Sequence, residues 1–349
     1  MTNASPLRIA VVGFGKLGLL HAGIANGLPG SKLVAVCDNS STTMNVLKSQ
    51  MQGVETYSDY KTMIAKGGID AVFIATPTGS HAPIAVDFVN AGIAVFIEKP
   101  LAPNTEQALP LMEALERTPV TNMVGYMGRY IDTFAKAKAL IDSGALGGLQ
   151  MLRTSMYVAQ LFTKGKGWRY EQKESGGGVL ITQNGHVIDK LLWMFGDLEY
   201  VTGQTNTLYS STVEDYAHAY FAFKSGLTGF MDASWSARHF RTPTISIHVQ
   251  GEHGTLDVND DDVRLHLEKA HGDLPADWSI WRGPDLYQGV PFDIGGPQYT
   301  RQAIDFLEAV RTGTTVETDV KSGFKTQSVV DAIYRSAQQN GAPQFFAEQ

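Results

Sequence analysis

Short apolar, β-branched runs at Leu7–Val12, Lys32–Asp38, Ile69–Ala75 and Ile93–Ile97 occupy the first hundred residues, separated by amphipathic stretches such as Lys16–Asn26 and Pro83–Asn90. A strand that is apolar at consecutive positions must be covered on both faces. Alternation of such strands with helices therefore predicts a doubly wound parallel sheet. After Gly125 the texture changes. One helical pattern, Ile131–Ser143, is followed by alternating strands at Gln150–Val158, Tyr216–Lys224, Leu227–Trp235, Thr244–Val249 and Val263–Leu267. Alternation buries one face only, which predicts an open, largely antiparallel sheet packed on helices. Helical patterns at Thr300–Arg311 and Phe324–Gln339 close the chain. The expectation is an α/β protein of two domains, residues 1–125 and residues 126–349.

The first strand runs directly into Gly13-Phe14-Gly15-Lys16-Leu17-Gly18, a G-x-G-x-x-G at the entry of the first helix. Gly13 permits the tight turn, Gly15 lets the backbone approach a pyrophosphate, and Gly18 lets helix pack on strand, while the helix N-terminus offers N–H donors. The second strand ends at Asp38, twenty residues beyond Gly18, where a carboxylate accepts both ribose hydroxyls of an adenosine. Asp38 repels a 2′-phosphate, and Asn39 and Ser40 supply no arginine to hold one, so NAD is favoured over NADP. The first domain is thus read as a Rossmann domain. The alternative, glycines that only shape a turn, stays open from spacing alone.

The third strand ends in Thr76-Pro77 with His81 close behind, and the fourth in Glu98-Lys99-Pro100. In an open α/β sheet these carboxyl ends face the ligand crevice. With the glycine loop and Asp38, they complete the expected cofactor-contacting set: Gly13, Phe14, Gly15, Lys16, Leu17, Gly18, Asp38, Thr76, Pro77, His81, Glu98 and Lys99. Lys99 follows an apolar run, a position where desolvation lowers an ammonium pKa. Further on, Ser175 and Gly176-Gly177-Gly178 open onto an apolar-periodic helix with His186 and Asp189 one turn apart. A histidine there can take a hydroxyl proton, with Asp189 orienting the ring. Taken singly, a solvated lysine and a structural histidine are the commoner readings. Arg129, Tyr157, Trp168 and Arg169 offer planar donors and aromatic faces suited to a polyhydroxylated ring.

Composition excludes other classes. A net charge of −7 without a basic run leaves no footprint for nucleic acid. Cys37 is the single cysteine, so neither a disulfide framework nor a multi-cysteine zinc site is expected, and no metal-ligand set is readable. Met1 to Pro6 carries no basic residue and no apolar run is long enough to span a bilayer, so a cytoplasmic protein is expected.

Gly13-x-Gly15-x-x-Gly18-x-x-His21, Thr76-Pro77, Glu98-Lys99-Pro100, and Gly176-Gly177-Gly178 followed by His186 and Asp189 together resemble the glucose-fructose oxidoreductase and inositol dehydrogenase (Gfo/Idh/MocA) family. The resemblance continues through Val213-Glu214-Asp215, Ala233-Ser234-Trp235 and Gly251-Glu252-His253-Gly254-Thr255-Leu256. It implies a Rossmann domain followed by an α+β domain whose open sheet forms a homodimer or homotetramer interface. The implied activity is NAD-dependent oxidation of a secondary hydroxyl of a sugar, polyol or sugar derivative. In that scheme Lys99 hydrogen-bonds the reacting oxygen and His186 accepts its proton. Many members carry an aspartate four residues before this histidine and a glycine two before it, where this chain has Thr182 and Asn184. Both are expected at the substrate, although neither bears charge. Two alternatives share the architecture: a glycosidase or lyase that oxidises its substrate transiently, and a dinucleotide-sensing regulator.

Overall fold

A computed structural model describes residues 5–40 and 52–347. Residues 1–4, on which part of the reading of the chain's start rests, lie outside the described residues. The chain divides into two compact units, Met1–Met127 with Gly289–Lys325, and Gly128–Gln288 with Thr326–Gln349.

In the first unit, strands β1 (Leu7–Val12), β2 (Ser31–Cys37), β3 (Glu55–Tyr57), β4 (Ala71–Ile74), β5 (Ala94–Ile97) and β6 (Asn122–Val124) form one sheet. Its order is β3-β2-β1-β4-β5-β6, with every pairing parallel. Every residue of β4 and β5 is buried, as unbroken apolar strands require. Helices α1 (Lys16–Gly27), α2 (Tyr60–Lys66), α3 (His81–Asn90) and α4 (Thr105–Arg117) connect the strands. The start of α4 shows how local chemistry sets an element: the Asn104 side chain accepts the Gln107 N–H, and Ala108, Leu111 and Ala114 then recur at three-residue spacing as the buried face.

The second domain does not run unbroken from residue 126 as expected. Helix α7 (Pro297–Thr312, numbered after α5 and α6 below) belongs to the first unit. The cause is the double-sided apolarity of β4 and β5. Phe73 and Phe96 need cover, and Phe306, fully buried, sets its ring edge on them at centroid distances of 5.4 and 5.7 Å. Arg311 completes the attachment by donating to the Gly30 carbonyl at 2.5 Å.

The second unit is built on strands β7 (Leu149–Tyr157), β8 (Leu198–Asn206), β9 (Tyr216–Phe223), β10 (Thr228–Ser234), β11 (Thr244–Gly251), β12 (Gly254–Asn259), β13 (Asp262–Leu267), β14 (Asp277–Arg282) and β15 (Gln344–Phe345). Their order is β14-β13-β12-β11-β7-β10-β9-β8-β15, antiparallel throughout except for β7 against β10. Helices α5 (Asp132–Asp142) and α6 (Gly185–Phe195) cover one face, where Phe134, Ala137, Val187, Ile188 and Leu191 join Leu152 and Met156 of β7 in one core. The alternate residues, Arg153, Ser155 and Tyr157, lie on the other, open face. Helix α8 (Val320–Gln338) begins in the first unit and continues in the second.

Lys190 of α6 is fully buried, an unusual placement for an ammonium. Its Nζ lies 4.3 Å from the centre of the Phe134 ring, and a Cβ on Gly128 would sit 2.5 Å from it, so Gly128 makes room for the amine. Burial pulls its pKa down to about 8, against the opposing pull of Asp260 and Asp189. Between pH 8 and the ordinary lysine value, the unfolded chain holds a proton that the folded chain has released. Stability therefore rises with pH across that window. Cys37, whose buried thiol is pushed up to about 12, works in the opposite direction over the same range, so the lysine is read by difference: the stability of the wild type relative to Lys190→Met should rise by roughly 3 kcal/mol between pH 8 and pH 10.5 in denaturant melts.

Candidate active site

The glycine loop divides its labour by position. Gly13 adopts φ +86, and a Cβ there would lie 2.7 Å from the Ala75 carbonyl carbon, so this residue permits the turn from β1 into α1 against the end of β4. A Cβ on Gly18 would lie 1.8 Å from the Gly13 carbonyl oxygen, so α1 can reach the strand only as glycine. Gly15 meets nothing within 4 Å, and the first turn of α1 beyond it has neither a side-chain cap nor an acidic residue. A helix start of this kind needs acceptors for its N–H groups, and a pyrophosphate supplies them along with charge that the helix dipole favours. Asp38, at the end of β2, accepts the Phe14 N–H at 2.6 Å through one oxygen and the Ser40 N–H at 2.8 Å through the other. That ties the loop to the second strand and leaves each oxygen a lone pair for a ribose hydroxyl. The residues present thus fit a dinucleotide.

At the end of β5 the structure changes the expected roles. The Glu98 carboxylate turns inward and accepts from the His21 ring at 2.7 Å, with both side chains buried. Burial pushes the Glu98 pKa up, but the His21 hydrogen bond and the nearby charges of His21 and Lys99 outweigh it and hold the carboxyl below its ordinary value. The His21 ring packs against Phe73 and Phe96. His81 is likewise buried, its two ring nitrogens 2.7 Å from the carbonyl oxygens of Thr76 and Pro100. Glu98 and His81, expected at the cofactor, each brace a turn at the strand ends. The first backs the turn that carries Lys99, whose N–H donates to Glu98 Oε2 at 3.2 Å, and the second joins the turns after β4 and β5. Lys99 itself is half-buried and precedes a cis peptide bond to Pro100.

In the second unit His186 opens α6, immediately after a π-helical turn over Leu180–Asn184. Such turns are uncommon and recur at functional sites. Thr182 donates its hydroxyl to the Gly178 carbonyl at 2.6 Å. Asn184 is fully buried with its amide 3.4 Å from the Met231 sulfur, so it fills the core and does not face substrate. Arg129 departs from expectation as well. Its fork donates to Asp189 at 3.0 and 2.6 Å, a buried bidentate pair that holds the carboxylate expected behind His186. Tyr157 lies on the open face of the sheet against Phe240, opposite the helices, because it alternates with Met156. Trp168 and Arg169 share a short turn, the guanidinium 4.6 Å from the ring centre. Reasoning from sequence missed Glu214 as a buried anchor. Its signal was a carboxylate inside the Val213-Glu214-Asp215 motif with no cation nearby in the chain.

Comparison with known proteins places this geometry. Residues 7–126 match the oxidoreductase family with an NAD-binding Rossmann fold, and residues 134–257 match the GFO/IDH/MocA C-terminal domain. Fold and loop together define a two-domain, NAD-binding oxidoreductase. The chain is 32% identical over 237 residues to scyllo-inositol 2-dehydrogenase (NAD(+)) of Bacillus subtilis, covering 65% of this chain and 67% of that protein. It is 26% identical to D-apiose dehydrogenase of Paraburkholderia graminis over 97% of this chain and 89% of the relative. The solved complex of levoglucosan dehydrogenase with NADH superposes with a TM-score of 0.87 at 23% identity, covering 99% of this chain and 100% of that one. The protein belongs to the Gfo/Idh/MocA family.

The glycine geometry yields a paired expectation. Gly18→Ala should cost about 3 kcal/mol in denaturant melts, because the new methyl meets backbone. Gly15→Ala should leave the melting temperature within about 2 °C yet weaken NADH binding, read by fluorescence titration, at least about tenfold.

Proposed function

We propose that this protein oxidises a secondary hydroxyl of a sugar, polyol or related carbohydrate and passes the hydride to NAD. The observation that carries the reading lies in the first unit. There the open side of Gly15, the uncapped start of α1, Asp38 and Lys99 all stand at the carboxyl ends of strands in one parallel sheet. The inositol, apiose and levoglucosan dehydrogenases among its relatives support the substrate class.

Bound NAD supplies the hydride acceptor. In the reaction we propose, His186 as neutral imidazole takes the hydroxyl proton as the carbinol C–H bond breaks, leaving a carbonyl product. The Lys99 ammonium donates a hydrogen bond to the same oxygen and stabilises its developing charge. Asp38 selects NAD, since a 2′-phosphate would meet its negative charge. Thr182, Trp168 and Arg169 are the substrate-side residues retained in this reading, with Thr182 supplying an uncharged oxygen in place of a carboxylate.

We further infer self-association through the open face of the nine-stranded sheet as a homodimer or homotetramer, supported by exposed Phe230, Trp278 and Ile280 on that face. We place the protein in the cytoplasm, a reading that accords with Cys37 being a buried free thiol. Among the described residues no helix is long and apolar enough to cross a membrane.

The test is a panel of inositols, aldoses, uronates and glycosides incubated with NAD, following NADH absorbance and product release. We expect NADH with at least one polyol or sugar, and a loss of about 10²-fold or more in Lys99→Met and His186→Ala with NADH affinity retained. Glycoside cleavage without net NADH would replace the proposal by transient oxidation. NAD binding without any turnover would replace it by a dinucleotide sensor.

A further inference from the structure

The glycine run before α6 is shaped by two residues from distant parts of the second unit. Gly178 packs against backbone: a Cβ there would lie 1.8 Å from the Glu214 carbonyl oxygen. Gly177, at φ +159, would place a Cβ 2.1 Å from the Tyr334 hydroxyl. These glycines are therefore explained by contact with Glu214 and Tyr334, and the loop has no need of a phosphate to account for them.

Glu214 does more than occupy that space. Its carboxylate accepts the Gly178 N–H through both oxygens at 2.9 Å and the Leu180 N–H at 3.0 Å, while its backbone carbonyl accepts the Val179 N–H at 2.9 Å. Three consecutive amides at the start of a helical segment, where no intrahelical acceptor exists, are thus held by one residue. Tyr334 of α8 donates its hydroxyl to Glu214 Oε1 at 2.7 Å and fixes the carboxylate in turn. The Gly178 peptide so held also accepts the Thr182 hydroxyl, and the chain passes through the π-helical turn directly into His186. Glu214 itself is buried. A charged group in that setting persists only with this complement of donors.

We propose that Glu214, held by Tyr334, is the positioning residue for His186 and Thr182. It acts through the amides of Gly178 and Leu180, without touching substrate. This inference rests on the reading of His186 given above. A group that sets the orientation of a proton acceptor governs kcat more than binding, because displacement of about 1 Å costs on the order of 10²-fold in rate.

The experiment compares Glu214→Gln, Glu214→Ala and Tyr334→Phe in the full chain, with steady-state kinetics on the substrate found in the panel and NMR of protein labelled with ¹³C-histidine. Glu214→Ala should lower kcat about 10²-fold and Tyr334→Phe about tenfold, with KM and NADH affinity changed less than about threefold. Glu214→Gln keeps one acceptor oxygen for Gly178, Leu180 and Tyr334 and should recover most of the rate. The His186 ring resonance should shift in Glu214→Ala and Tyr334→Phe. Should Glu214→Ala fail to fold, Tyr334→Phe and Glu214→Gln carry the test. An unchanged kcat in Tyr334→Phe together with an unmoved His186 resonance would overturn the proposal, as would a rise in KM at constant kcat. A wild-type protein that oxidises nothing would sink the dehydrogenase reading alone. The His186 resonance would then decide the positioning role, a shift supporting it and no shift overturning it.

Discussion

The approach of α1 to the first parallel sheet is the constraint on which the remainder depends. It is possible only because Gly18 brings the helix onto the Gly13 carbonyl and Gly13 turns the chain beside Ala75. With the helix so placed, its uncapped N-terminus opens beside Gly15, and Asp38 is near enough to hold the Phe14 amide. A side chain at either packed glycine would displace the glycine turn from the strand ends, and the Asp38 carboxylate would lose its hold on the Phe14 amide with it.

Buried charge supports the working turns from behind. His21 and Glu98 lie beneath the turn of Lys99, and Arg129 pairs with Asp189 on the helix that carries His186. The Arg129–Asp189 ion pair adds little net stability, because desolvation offsets its attraction, whereas removal of one partner leaves a costly lone charge. The effect of both pairs is to allow one arrangement of the backbone. His81, spanning the Thr76 and Pro100 carbonyls, does the same for the two turns it joins. The His21 ring packs against Phe73 and Phe96, and the Arg129 guanidinium lies 5.8 Å from the centre of the Trp193 ring.

The parallel sheet was legible in sequence because β4 and β5 are apolar at every position and β1 at all but Arg8, and β1 follows the expected bounds residue for residue. The three-residue strands β3 and β6 are too short to show a period. β8 breaks its alternation at the irregularity between Leu198 and Tyr200, and β14 is exposed along most of its length. The glycine loop and Asp38 were readable because their chemistry is local. Roles that depend on distant partners were not. The buried partners of Glu98 and His81, and the Asp189 carboxylate that Arg129 holds, lie far along the chain and leave no local mark. Which face of β7 carries Tyr157 follows from strand parity with the buried Met156. The return of α7 to the first sheet leaves no local mark either, since its amphipathic pattern does not say which sheet it covers.

The central claim is direct hydride transfer from a carbinol carbon to NAD. The most direct measurement supplies a substrate deuterated at the reacting carbon and reads the isotope in the product cofactor by mass spectrometry. Direct transfer gives NADH carrying one deuterium on the nicotinamide ring, formed in step with the ketone. Unlabelled NADH, or deuterium released to solvent, would contradict it.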